Sequence, residues 1–170
     1  WNGMISKRID ARGIETDYYY DENHNLTTID YSDDTPDVTI EYDELNRPDL
    51  VTVGDRVTDF TYDPINLTIT IDGPLDNDTI TYNYDTLGRR TGAALQNGPS
   101  TTYEYDTLNR LDKIITGAGE FNTTYQSPTS PLPNTLVRPN GLVTTYTFDD
   151  ILKTQLKSIT NGTISSFAYT

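Results

Sequence analysis

The sequence predicts an all-β fold: tandem hairpins of about 21 residues forming a curled antiparallel sheet, spiral, shell or tube. Three observations carry that expectation. A phrase of two aromatics two apart, then Asp, a turn and Arg recurs along all 170 residues. The aromatics alternate with polar residues, as on a strand whose successive side chains point to opposite faces. Gly and Asn recur where tight turns need them.

The repeat is anchored on an aromatic followed by Asp: Tyr20-Asp21, Tyr42-Asp43, Tyr62-Asp63, Tyr84-Asp85, Tyr105-Asp106 and Phe148-Asp149. The double-length gap before Phe148 is filled by Thr123-Thr-Tyr-Gln-Ser-Pro128, aligned with Thr101-Thr-Tyr-Glu-Tyr-Asp106 and carrying Ser127-Pro128 in place of Tyr-Asp. Reading across the copies gives two columns on one face. The first is Tyr18, Ile40, Phe60, Tyr82, Tyr103, Tyr125, Tyr146 and Phe167. The second is Tyr20, Tyr42, Tyr62, Tyr84, Tyr105, Ser127, Phe148 and Tyr169. All but Tyr19 and Tyr31 of the 13 Tyr fall in these columns, whereas a helical stripe would need spacings of three and four.

A turn follows each aromatic-Asp, as in Glu44-Leu-Asn-Arg47, Thr86-Leu-Gly-Arg89 and Thr107-Leu-Asn-Arg110. The pairs Asp43/Arg47, Asp85/Arg89 and Asp106/Arg110 bracket these turns, with Asp149/Lys153 as a weaker echo. Nine residues past the second column an aliphatic marks the return strand, at Ile29, Val51, Ile71, Ala93, Ile114 and Leu136. Second turns at Asp72-Gly73, Asn97-Gly98, Asn140-Gly141 and Asn161-Gly162 lead into the next copy. About eight such units make one array over residues 1–170.

Composition narrows function. A net charge of −14 opposes binding to nucleic acid or an anionic membrane surface, and no apolar run reaches the length of a membrane span. The absence of Cys removes disulfides and thiolate metal sites. Low Lys with abundant Thr and Asn points to an exported, surface-exposed protein. The sequons at Asn25, Asn66, Asn77, Asn122 and Asn161 are candidate N-glycosylation sites.

Tyr-x-Tyr-Asp-x-x-Gly-Arg with its return strands resembles the YD repeat of RHS-type proteins, over essentially the whole chain. Gly88-Arg89 matches most fully, with Asn109-Arg110 and Asn46-Arg47 close. The resemblance implies large secreted or cell-surface proteins: bacterial toxin shells enclosing a cargo, polymorphic toxins, and teneurin-like ectodomains. In these the repeats form a β-sheet spiral around a hollow. The family's self-cleaving module carries Asp-Pro-x-Gly-Leu; Arg138-Pro-Asn-Gly-Leu142 has Arg in the Asp position and reads as an inter-repeat turn.

Met4 is the only Met and is internal, which suggests a processed product or a piece of a longer chain. Joined to residues 1–9, Tyr169-Thr170 would complete an eighth repeat, with Gly3 at its turn and Tyr169 in phase with Tyr20. The expectation is head-to-tail pairing with itself or with further repeats of a longer chain.

No catalytic signature accompanies the repeat, so a non-catalytic structural role is expected and no cofactor is implied. The acidic stretches Asp72–Asp78 and Asp30–Asp37 raise Ca²⁺ binding but lack EF-hand spacing. His24, the only His, sits at a turn position without a nucleophile signature near it. The aromatic columns could stack on glycans, which makes a carbohydrate-binding adhesin the second class; filling the sheet's own interior is the simpler use of Tyr.

Overall fold

The structure is a computed structural model that describes residues 3–149 and 154–169. Its regular elements are 16 β-strands, ordered in the sheet as they are in the chain. The protein is an all-β array of tandem hairpins.

Contacts divide it into two units. The first, Trp1–Tyr82 with Leu95–Asn97, holds β1 (Lys7–Ile9), β2 (Glu15–Tyr20), β3 (Leu26–Tyr31), β4 (Val38–Tyr42), β5 (Pro48–Val53), β6 (Arg56–Asp63), β7 (Thr68–Asp72) and the start of β8 (Ile80–Tyr84). The second, Asn83–Ala94 with Gly98–Thr170, holds the rest of β8 and most of β9 (Arg90–Leu95), followed by β10 (Ser100–Tyr105), β11 (Leu111–Thr116), β12 (Gly119–Tyr125), β13 (Pro133–Val137), β14 (Val143–Phe148), β15 (Leu156–Asn161) and β16 (Ser165–Ala168).

Register follows the alternation of side chains. In the first unit Tyr18 pairs with Ile29, Ile40 with Val51 and Phe60 with Ile71. In the second, Tyr103 pairs with Ile114, Thr123 with Leu136 and Tyr146 with Ile159. Just before each of five second-column residues the ladder shifts by one residue, so that Tyr20 opposes Leu26, Tyr42 opposes Pro48, Tyr105 opposes Leu111, Tyr125 opposes Pro133 and Phe148 opposes Leu156. These are β-bulges, with the extra residue on the return strand.

The bulge corrects the column assignment in two places. Tyr125 follows the shift as Tyr105 does, so it belongs to the second column, and Thr123 holds the first. Ser127 is not a broken column position; it is an exposed residue of the turn beyond β12. At the last strand Ile159 pairs with Phe167, as Ile114 pairs with Phe121 and Leu136 with Thr144. Phe167 therefore precedes the first column by two residues and Tyr169 falls in the first, not the second. The expected join of residues 169–170 to residues 1–9 runs through Trp1, Asn2 and Thr170, which lie outside the described residues. The physical reason is common to both corrections. Strand faces alternate with period two, so a shift of two residues keeps the same face and alternation cannot detect it.

Among the described residues no apolar side chain is buried; the buried class holds only Thr16 and Thr144. Column residues from Tyr18 to Phe148, including Phe60, Tyr82, Tyr84 and Tyr146, are half-buried, while Phe167 and Tyr169 are exposed. Cohesion therefore rests on backbone ladders and on what links one hairpin to the next, more than on an enclosed core.

Candidate functional site

The most elaborate local chemistry lies in the Asp turns. Asp43 Oδ1 accepts the backbone N–H groups of Leu45 and Arg47, each at 2.9 Å. Its Oδ2 accepts Arg47 Nε at 2.8 Å and stands 2.6 Å from Nη2. Asp85 does the same for Leu87 and Arg89, and Asp106 for Leu108 and Arg110. The backbone closes around the carboxylate: Asp106 N–H donates to Arg110 O, and Asn109 N–H to Asp106 O. Asn46, Gly88 and Asn109 sit at φ 60°, 76° and 64°, the left-handed region that Gly and Asn tolerate best.

These bonds move the carboxyl groups. The backbone N–H of Arg47 and then its side chain hold Asp43 below the ordinary carboxylate range. For Asp85 and Asp106 partial burial is the largest influence and pushes upward, but the backbone and side-chain bonds from Arg89 and Arg110 together outweigh it, so both end lowered.

The Arg then reaches forward. Arg47 lies over the Tyr62 ring at 3.9 Å, Arg89 over Tyr105 at 4.5 Å and Arg110 over Tyr125 at 4.1 Å. Each Tyr hydroxyl donates to the carbonyl just after that Arg: Tyr62 to Pro48 at 2.8 Å, Tyr105 to Arg90 at 2.8 Å, Tyr125 to Leu111 at 2.7 Å. Tyr20 and Tyr42 make the same bond to Ile5 and Leu26, each at 2.9 Å. Burial pushes the Tyr42, Tyr62 and Tyr125 phenols upward. Asp orders Arg, Arg covers the Tyr of the next hairpin, and that Tyr bonds back to the return strand the Arg introduced.

Neighbouring turn tips are also joined. Asn25, standing at the Arg position of its turn, donates to Asn46 Oδ1 at 2.8 Å, and Arg89 Nη1 to Asn109 Oδ1 at 2.8 Å. Arg110 Nη1 reaches the carbonyls of Ser127 at 3.1 Å and Ser130 at 2.5 Å. Sequence reasoning found the Asp/Arg brackets but missed both forward links. The available signal was the near-constant step from Arg47 to Tyr62, Arg89 to Tyr105 and Arg110 to Tyr125.

Other candidates resolve into turn chemistry. His24 takes the left-handed position of its turn at φ 69° and donates its N–H to Asp21 O. Arg138–Leu142 closes β13 onto β14, with Gly141 at φ 79°. Arg138 Nη1 donates to buried Thr144, which donates in turn to Asn161. Asp33 and Asp37 accept backbone N–H groups of Thr35 and Tyr31. Asp72 accepts the Thr79 hydroxyl; Asp78 Oδ2 accepts Leu75 N–H, while its Oδ1 is buried without a partner. Among the described residues no three His, Cys, Asp or Glu are grouped to hold a metal. Lys153, the partner expected for Asp149, lies outside the described residues.

The sequons separate by environment. The amide nitrogens of Asn25, Asn66 and Asn161 donate to Asp21, Asp63 and Ser165. Asn122 is half-buried in β12 between Lys113 and Val137. Asn77 is exposed and uses its oxygen, accepting from Asn97 at 2.9 Å.

No family model and no curated protein sequence matches the chain. Solved structures do. A crystal structure of TcdB2-TccC3 without its hypervariable C-terminal region aligns over 94% of this chain at TM-score 0.55 and 19% identity. The Photorhabdus luminescens Tc holotoxin pore aligns over 92% at TM-score 0.54 and 19% identity. At that identity the likeness establishes a shared fold. The chain spans 9% of the length of the first and 8% of the second.

Proposed function

We propose that this chain is a non-catalytic wall segment of a secreted or cell-surface β-sheet shell, of the kind implied by its resemblance to YD-repeat RHS proteins. The observation that carries the proposal is the link from the Asp43, Asp85 and Asp106 turns to the next hairpin, in an array with no buried apolar side chain among its described residues. Cohesion of that kind runs along an array and extends by adding hairpins, without an interior to rebuild. Its charged turn groups are committed to one another, which suits a connector better than a site that must turn over substrate. The fold shared with the TcdB2-TccC3 and Tc holotoxin structures, taken with the resemblance of the repeat to RHS-type shells, favours the shell over a free-standing filament. Its partners are then further repeats of the same kind. The adhesin reading is weakened because the hydroxyls of Tyr20, Tyr42, Tyr62, Tyr105 and Tyr125 are already bonded to backbone carbonyls.

Cryo-electron microscopy of the native product containing this sequence tests the proposal. The expected result is a hollow particle whose wall is this sheet. Dispersed solid particles, together with glycan binding that is lost when the column Tyr are changed, would overturn it in favour of an adhesin.

A further inference from the structure

Arg138 differs from the arginines of the Asp turns. Arg47, Arg89 and Arg110 each hold a carboxylate 2.6 Å from Nη2, whereas Arg138 pairs with no carboxylate among the described residues. One of its nitrogens is nonetheless fixed. Nη1 donates at 2.6 Å to the hydroxyl of Thr144, which is 2% exposed. That hydroxyl donates onward to Asn161 Oδ1 at 2.7 Å, and the Asn161 amide donates to Ser165 at 2.8 Å. This relay orients the guanidinium, while the rest of its planar fork meets no acceptor among the described residues.

Arg138 lines a cleft of about 450 Å³ together with Ala118, Phe121, Pro139 and Asn140. The ladder pairs Asn122 with Val137, so half-buried Phe121 and Arg138 come next in register across β12 and β13. Gly119, at φ 115°, lets the β11–β12 turn lie against Pro139, where a Cβ would stand 2.8 Å from the Pro139 Cβ. The walls are thus an aromatic ring, a proline ring and a methyl group, with one cation among them. A guanidinium fork matches a carboxylate with two parallel bonds, and apolar walls take a hydrocarbon body. The volume falls in the range of small-molecule sites, about 300–1,000 Å³. A bare hydrated anion would gain nothing from these walls, and a neutral apolar molecule would leave the fork unpaired.

We propose that this cleft binds a small organic acid with one carboxylate on a flat apolar body, the carboxylate on Arg138 and the body against Phe121 and Pro139. The site lies within the second unit and stands or falls independently of the wall reading. The net charge of −14 repels anions in general, so saturable uptake of an acid reports a built site.

Titration of the isotope-labelled whole chain with hydrocinnamate, followed by NMR, tests this. The backbone amides of Ala118, Phe121 and Asn140 should shift together and saturate, with a Kd of about 1 mM for a ligand of about a dozen heavy atoms. The neutral amide of the same acid should bind about tenfold more weakly, since it brings no charge to the fork. Acetate, which lacks the apolar body, should leave the Phe121 amide unmoved. Arg138→Lys keeps a donor for Thr144 but loses the planar fork, and should weaken the acid about tenfold with a melting temperature close to wild type. If that variant folds poorly, the comparison of acid with amide in the wild type still decides. Equal binding of acid and amide, undiminished binding by a folded Arg138→Lys variant, or no saturable shift at these amides would overturn the proposal.

Discussion

Two turns of the second unit, one repeat apart, close similar hairpins by different means. At Asp106–Arg110 one carboxylate takes two backbone N–H groups and the guanidinium, and Leu111 follows six residues after Tyr105. At Gln126–Leu132 no carboxylate is present, and Pro133 follows eight residues after Tyr125. That turn is closed by Ser130 N–H to Ser127, at 3.2 Å to its carbonyl and 3.1 Å to its hydroxyl, and by Leu132 N–H to Ser130 Oγ at 3.1 Å. It receives Arg110 on two carbonyls. Yet it has Leu132, whose carbonyl accepts the Gln126 N–H, where Asp106's turn has Arg110, and the next column residue, Phe148, has no hydroxyl to donate. The second turn accepts the link from its predecessor and lacks the groups to pass it on. Asp-x-x-Asn/Gly-Arg is thus a coupling device as well as a turn.

The largest effect that tests this contrast is Tyr125→Ala. It removes the ring under Arg110 and the bond to Leu111, and should cost about 3 kcal/mol in chemical denaturation. Next comes Asp106→Ala, which leaves two backbone N–H groups and Arg110 without their acceptor. Its fall in melting temperature should exceed that of Asp43→Ala, because the Arg side chain is 18% exposed in the first pair and 42% in the second. Acid titration addresses all three turns together. Asp43, Asp85 and Asp106 have lowered folded pKa values, so the unfolded chain binds their protons first as pH falls. Their contribution is fully present above the unfolded carboxylate value of about 4 and is lost as pH drops through the folded values. A melting-temperature series down to pH 2 should show that loss, and its size should shrink when Asp106 is Ala. The smallest effect expected is Ser127→Tyr: an exposed turn residue should tolerate it within about 0.5 kcal/mol. Substantial stabilisation would mean that Ser127, not Tyr125, belongs in the column.

Much of the architecture was legible because it repeats. Hairpins, their number and the Asp/Arg brackets follow from aromatic-Asp phrases and from Asn46, Gly88 and Asn109 at the one position needing positive φ. Repeat length at the irregular copies was not legible, since Gln126–Leu132 absorbs two extra residues without changing the face that Tyr125 presents. The loop Asp72–Ile80 hides a similar departure: Asn77, at φ 63°, takes the left-handed backbone there, where Gly73 looked the natural choice. The forward links were not read because they join residues about fifteen apart, across a return strand, where the near-constant step from each Arg to the next column Tyr was the one signal of them.

The central claim is that a turn is energetically tied to the aromatic of the following hairpin. A double-mutant cycle between Arg110→Met and Tyr125→Leu measures that tie directly, the first change removing the charge and the second the ring beneath it. We expect a coupling of about 1 kcal/mol, as for groups in contact within one network. Additivity within about 0.3 kcal/mol would contradict the account and leave the two groups as neighbours without mutual consequence.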